Sequence, residues 1–201
     1  MGLTDLTFEE GQTPLEPDEK KGLLIPSITT RGELNEIEQR NIEEVIRWTI
    51  DRRRKFTAEE ILSDKFVGEL HRKMFGNVWK WAGMFRLSNK NFGVDKHSIS
   101  TELRMLLDDC NYWLDHKTFG QDETAVRFKH RIVSIHCFAN GNGRHSRLIG
   151  DMIVEKILGG EIFSWGGKSL IQKGDFRATY LNALRAADKG DYLPLIAFAR
   201  S

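Results

Sequence analysis

Within twelve residues, His136-Cys137-Phe138-Ala139-Asn140-Gly141-Asn142-Gly143-Arg144-His145-Ser146-Arg147, the chain collects the groups that phosphate chemistry needs. His136 carries an imidazole whose ordinary pKa lies near neutrality, so it can serve as a general base. Asn140 offers a carbonyl oxygen to a hard cation such as Mg2+. Gly141, Asn142 and Gly143 lead into a helical pattern. Backbone N–H groups left free at a helix start, beside glycines that allow close approach, make a cradle for an anion. Arg144 and Arg147 are three residues apart and share a helix face. Two guanidiniums beside one cradle suit more than one phosphate. Base, cation ligand, cradle and clamps together point to nucleotidyl or phosphoryl transfer.

The elements that must hold these groups are helical. Leu34, Ile37, Asn41, Val45 and Trp48 form one stripe, in a segment that ends in the cationic run Arg52 to Lys55. Leu62, Phe66, Leu70 and Met74 predict a helix over 61–75. Leu103 to Trp113, Ala125 to Ile135, Arg144 to Leu158, Asp175 to Ala187 and Tyr192 to Arg200 predict five more. Between them, Phe85-Arg86-Leu87-Ser88, a polar turn over Asn89 to Gly93 and the run Val94 to Ile99 read as a short β-hairpin. Helix after helix with one hairpin is an all-α domain. Residues 1–28 hold three of the four prolines and read as an arm, extended or draped over the body, with Leu23-Leu24-Ile25 available to dock.

Composition narrows the class further. The 201 residues carry 30 Lys+Arg against 29 Asp+Glu, a net charge of +1, which argues against a nucleic-acid coat and makes the Arg52–Lys55 run a solvated helix end. A hydrophobic content of 40% excludes a disordered chain. Two cysteines, Cys110 and Cys137, are too few for a disulfide scaffold or a cysteine-rich zinc module. His130, His136 and His145 lack a zinc spacing, and His130 and His145 read as surface residues. The N-terminus lacks the pattern of a signal peptide, and no apolar run approaches the roughly 18 residues that span a bilayer. The expectation is a cytoplasmic protein without a membrane partner.

The twelve-residue segment resembles the signature of the Fic family, His-x-Phe-x-(Asp/Glu/Asn)-Gly-Asn-Gly-Arg-x-x-Arg, with every fixed position matched. The resemblance extends over residues 30–200, takes in Trp81-Ala82-Gly83-Met84-Phe85-Arg86 and Ala186-Ala187-Asp188-Lys189-Gly190-Asp191, and looks most like the subgroup called mobile mystery protein B. It implies a Fic-type helical bundle with the hairpin as a flap, residues 29–201 forming the Fic domain together with an inhibitory N-terminal helix. The implied activity is protein adenylylation. His136 would deprotonate a Tyr, Thr or Ser hydroxyl, which attacks the α-phosphate of ATP. Phe138 would fix the loop, and Asn140 would help hold Mg2+. Gly141, Asn142, Gly143 and Arg144 would bind the phosphates, and Arg147 the γ-phosphate. Tyr180 and Asp188 would hold adenine, with a core aromatic as the competing reading for Tyr180. The target would dock on residues 85–99 by strand addition. Asn140 stands where many members carry a carboxylate, and Cys137 where proline is frequent. Relatives that transfer phosphate or phosphocholine, or that remove AMP, keep an alternative chemistry open, as does a catalytically weak regulatory module of a mobile genetic element.

Thr29-Thr30-Arg31-Gly32-Glu33-Leu34 resembles the family's inhibitory motif, (Ser/Thr)-x-x-x-Glu-(Gly/Asn), except at Leu34. That resemblance places Glu33 against Arg147. Thr30-x-x-Glu33 is equally a capping box, which needs no inhibitory role.

Overall fold

The computed structural model describes residues 15–50, 54–167 and 173–201. Its helices are α1 (Pro17–Lys20), α2 (Arg31–Ile50), α3 (Ala58–Ile61), α4 (Asp64–Phe75), α5 (Ile99–His116), α6 (Gln121–Ile135), α7 (Asn142–Met152), α8 (Lys173–Asp188) and α9 (Leu193–Arg200). A π-helical turn, Ile153–Ile157, continues α7. The fold is all-α, as the periodicity predicts. The helix expected over 61–75 begins only at Asp64, because Ser63 caps it: the Ser63 hydroxyl accepts from the Phe66 N–H at 3.1 Å.

The centre of the bundle is α6, which touches α5, α7 and α9. It buries Ala125, Phe128, Ile132 and Ile135 on one face, and Lys129 and His130 beside them. A helix covered nearly all round is a core element, so its polar residues need internal partners. His130 and His145 are therefore buried at 7% and 1% exposure, against the expectation that they face solvent. His130 finds Asp188 Oδ1 at 2.9 Å and the Tyr192 hydroxyl at 3.3 Å, and His145 finds the Val67 carbonyl at 3.0 Å.

The expected hairpin does not form a ladder. Residues 85–98 make a loop whose backbone is paired instead with the end of α6 and the segment after it. Phe85 bridges Phe138, the Arg86 N–H donates to the Cys137 carbonyl at 2.9 Å, and the Val94 N–H donates to the Ile135 carbonyl at 3.3 Å. Residues 15–28 lie against the body. Leu24 N–H donates to Val78 O and Lys80 N–H to Gly22 O, both at 2.8 Å, and the Trp81 indole donates to Glu19 O at 2.9 Å. Leu23 and Ile25 pack on the core, while Leu24 stays exposed. The remainder of the expected arm, residues 1–14, and Arg52 and Arg53 of the cationic run lie outside the described residues.

Candidate active site

The twelve-residue segment forms a buried loop joining α6 to α7. Helix α6 stops at His136, which adopts φ 58° and ψ 60°, a left-handed conformation uncommon for a residue with a side chain. Such a residue persists only where its surroundings hold it. Arg86 does so: its Nε donates to the His136 carbonyl at 2.6 Å, and its other nitrogens donate to Ser88 O at 2.8 Å and to Val94 O. Gly93, at φ 104°, lets this loop press against the histidine, since a Cβ there would stand 2.7 Å from His136 Cβ.

Beyond His136 the loop is held from both sides. The Asn142 amide closes a reciprocal pair with Phe138, accepting from its N–H at 2.9 Å and donating to its carbonyl at 2.8 Å. The Phe138 ring is fully buried and stacks on His71 with centroids 3.8 Å apart. His71 Nδ1 accepts from the Gly83 N–H at 3.0 Å, which leaves Nε2 as the protonated nitrogen donating to the Asn140 carbonyl at 3.0 Å. Gly141, at φ 80°, caps α7, and a Cβ there would stand 2.6 Å from the Phe75 ring. At Gly143 a Cβ would meet open space. The first-turn N–H groups of α7 lack intrahelical acceptors, as at any helix start, and such groups can bind an anion.

Residues 61–154 match the model of the Fic/DOC family. The chain carries a Fic/DOC-family domain. It is 27% identical over 143 residues to protein adenylyltransferase Fic of Aedes aegypti, and 28% identical over 138 residues to the Drosophila melanogaster protein of that name. These alignments take in 69% and 67% of this chain but only 27% and 26% of the relatives, so the chain spans about a quarter of the length of the curated proteins it matches. Among solved structures, it resembles the BepC protein of Bartonella tribocorum with bound AMPPNP (TM-score 0.64, 17% identity, 90% of this chain and 92% of that one). It also resembles Fic-1 from C. elegans (TM-score 0.62, 22% identity, 90% of this chain and 51% of that one). At these identities the likeness shows the fold.

The two arginines of the Fic loop stand in different surroundings. Arg144 Nη2 meets Glu38 Oε2 at 2.6 Å, and the guanidinium lies 4.9 Å over the Phe75 ring. Glu38 is 4% exposed, and its other oxygen accepts from the Trp79 indole at 2.6 Å. Arg147 lies 4.9 Å over the Tyr180 ring, and its Nε is buried without a hydrogen-bond partner.

Two expectations are corrected here. Glu33 does not approach Arg147. Its carboxylate accepts from the Thr29 and Thr30 N–H groups, both at 3.0 Å, while the Glu33 N–H donates to the Thr30 hydroxyl at 3.3 Å. These backbone bonds hold its carboxyl below the usual range. It is a capping box at the start of α2. Tyr180 does not present a ring face for stacking: Arg147 covers it, Phe198 packs beside it at 5.1 Å, and Lys129 Nζ donates to its hydroxyl at 2.5 Å. Asp188 accepts from His130 through Oδ1, and its side chain is 62% exposed.

Asn140 Oδ1 accepts from the Gly141 N–H at 2.7 Å, and a carboxamide oxygen carries two lone pairs. Among the described residues no group of three or more His, Cys, Asp or Glu can hold a metal ion. The donor set therefore fits a Mg2+ that arrives with nucleotide phosphates and takes one neutral oxygen from the protein.

The residues that pattern reading missed are His71, Arg86, Glu38 and Lys129. Of these, Glu38 lies four residues after Leu34 and three before Asn41 on the stripe of α2, Lys129 lies four after Ala125 and three before Ile132 on that of α6, and Arg86 ends the Trp81–Arg86 segment.

Burial, then the nearby Arg86 and Lys90 charges, lowers the His136 pKa to about 4, and burial lowers His145 to about 4 and His71 well below its ordinary value. His136 is thus neutral, and able to accept a proton, across the physiological range. Unfolded histidines protonate near pH 6.5. Between there and about pH 4 the unfolded chain binds more protons at these three sites, so stability falls with falling pH. Asp151, raised by burial to about 7, opposes the trend over the same window, but it is one group against three. Thermal denaturation from pH 7.5 to 4.5 should show the melting temperature declining below about pH 6.5. A melting temperature constant down to pH 5 would contradict neutral burial of the imidazoles.

Proposed function

We propose that this chain is a protein adenylyltransferase that transfers AMP from ATP to a Tyr, Thr or Ser hydroxyl of a target protein, and that α2 restrains it through Glu38. The observation that carries the reading is the held Fic-type loop, with a neutral buried histidine at one end and, at the other, the N-terminus of α7, whose first two turns carry Arg144 and Arg147.

His136 takes the proton from the target hydroxyl. The oxygen forms its bond to the α-phosphorus, the bond from that phosphorus to the α–β bridging oxygen breaks, and pyrophosphate leaves with the electron pair. The N–H groups of α7 and the side chain of Arg144 stabilise the added negative charge, and Arg147 takes the γ-phosphate. Mg2+, bound with the nucleotide at Asn140, would supply charge neutralisation at the phosphates. Asp188 offers its remaining carboxylate oxygen to the adenine amino group. The target docks along residues 85–98, where Leu87 and Phe92 are exposed at 82% and 46% and Met84 just before them at 59%.

Glu38 restrains this chemistry by holding Arg144. Both its oxygens are engaged, one by Arg144 and one by Trp79, so the guanidinium is withheld from phosphate while the pair persists. A charge-assisted hydrogen bond contributes about 1.5–3 kcal/mol.

His136→Ala should lower AMP transfer by about 10²–10⁴-fold while leaving ATP binding intact, as expected for loss of a general base. Intact mass after incubation with ATP reports whether the added group is AMP or phosphate. Transfer retained above a tenth of the original rate would exclude His136 as the base. Glu38→Gly should raise transfer by on the order of tenfold or more. Glu33→Gly should lower the melting temperature without raising transfer, because it removes only a cap. Activation by Glu33→Gly and not by Glu38→Gly would reverse this assignment. Asn140→Asp should lower the Mg2+ concentration that supports half-maximal transfer, and an unchanged requirement would place Asn140 outside the metal's coordination.

A further inference from the structure

Lys129 is fully buried in the middle of α6, 0% exposed, in a helix that otherwise fills the core. Its Nζ donates to the Tyr180 hydroxyl at 2.5 Å and lies 4.6 Å from the Tyr180 ring centroid and 5.8 Å from that of Trp165. Among the described residues no carboxylate pairs with it. An ammonium taken out of water without a counter-charge is costly, and an apolar side chain of similar length would be as good or better for stability. Burial lowers its pKa, in keeping with that cost. Lys129 is therefore not there to hold the fold together.

What it touches suggests its use. The hydroxyl end of Tyr180 is fixed by Lys129, and the ring carries the Arg147 guanidinium at 4.9 Å. A guanidinium over a ring is attracted by the ring's negative face, and its orientation follows that of the ring. Arg147 Nε is buried and without a hydrogen-bond partner, while the Arg147 side chain also hydrogen-bonds Tyr180, so the ring face and hydroxyl of that one residue together orient the guanidinium. The Tyr180 ring is the support for that plane, and Lys129 is the support for the ring.

We infer that Lys129 is a positioning residue for the terminal phosphate of the nucleotide, acting through the Tyr180 ring on the Arg147 guanidinium. This rests on the reading of Arg147 as the γ-phosphate clamp. It gives Tyr180 a function different from base stacking, and it makes the Lys129–Tyr180–Arg147 column a determinant of triphosphate over diphosphate binding.

The test is calorimetric titration of the full chain with ATP and with ADP, alongside thermal denaturation, for the unsubstituted chain, Arg147→Ala and Lys129→Met. ADP lacks the phosphate in question, so a role in general folding would weaken both nucleotides alike. Lys129→Met should weaken ATP by about tenfold, leave ADP within about twofold, and keep or raise the melting temperature. Equal weakening of both nucleotides, or no weakening of either, while Arg147→Ala loses ATP selectively, would overturn the inference and leave the clamp reading standing. If Arg147→Ala itself fails to separate ATP from ADP, the clamp reading falls and takes this inference with it. Should Lys129→Met not fold, Lys129→Leu removes the ammonium and leaves in place the Tyr180 hydroxyl, which Arg147 also bonds. Selective loss of ATP in that variant supports the column, and equal loss of both nucleotides overturns it.

Discussion

The site is governed by the need to satisfy buried backbone. Between His136 and Gly141 the chain is neither helix nor strand, yet Cys137, Phe138 and Ala139 are almost without solvent exposure. A buried carbonyl or N–H without a partner costs about as much as a lost hydrogen bond, so other side chains must serve this segment. Arg86 takes the His136 carbonyl, His71 takes the Asn140 carbonyl, and Asn142 takes both polar groups of Phe138. The conformation of the loop follows from these bonds. Gly141 is then the only kind of residue that fits against Phe75, and α7 begins with its N–H groups toward the open side.

A loop fixed in this way needs no rearrangement to receive phosphate. Helix α2 changes the availability of one guanidinium. Glu38 can do this because Trp79 holds its second oxygen, so the carboxylate is oriented before Arg144 reaches it. Arg147 remains supported by Tyr180 and Lys129 in the same state. On the proposed reading, the restraint is confined to Arg144, and His136, the α7 N-terminus and Arg147 keep the contacts described above.

Sequence reading succeeded where the chemistry is contiguous or periodic. The Fic signature lies within twelve residues, and the helices repeat their apolar positions at three and four, so both could be read directly. What supports the loop could not, because it arrives from far along the chain: Arg86 is 50 residues from His136, His71 is 69 from Asn140, and Glu38 is 106 from Arg144. The expectation for Glu33 meets the same limit. A local pattern marked Glu33, and its bonds are all local, to Thr29 and Thr30. The hairpin failed because the 85–98 segment pairs with the Fic loop and not with itself. His130 and His145 were expected at the surface because an amphipathic reading assigns polar residues to solvent, which does not hold for α6 and α7 at the centre of the bundle.

The central claim is that the loop is already in its working shape and that Glu38 withholds only Arg144. A crystal structure of the Glu38→Gly chain with a non-hydrolysable ATP analogue addresses it most directly. The account predicts that the backbone of residues 136–143 keeps the conformation described above, with the Arg86, His71 and Asn142 bonds intact, and that the Arg144 guanidinium turns to a phosphate oxygen. A loop rebuilt around the nucleotide, or an Arg144 that still points away from the phosphates once Glu38 is gone, would contradict it.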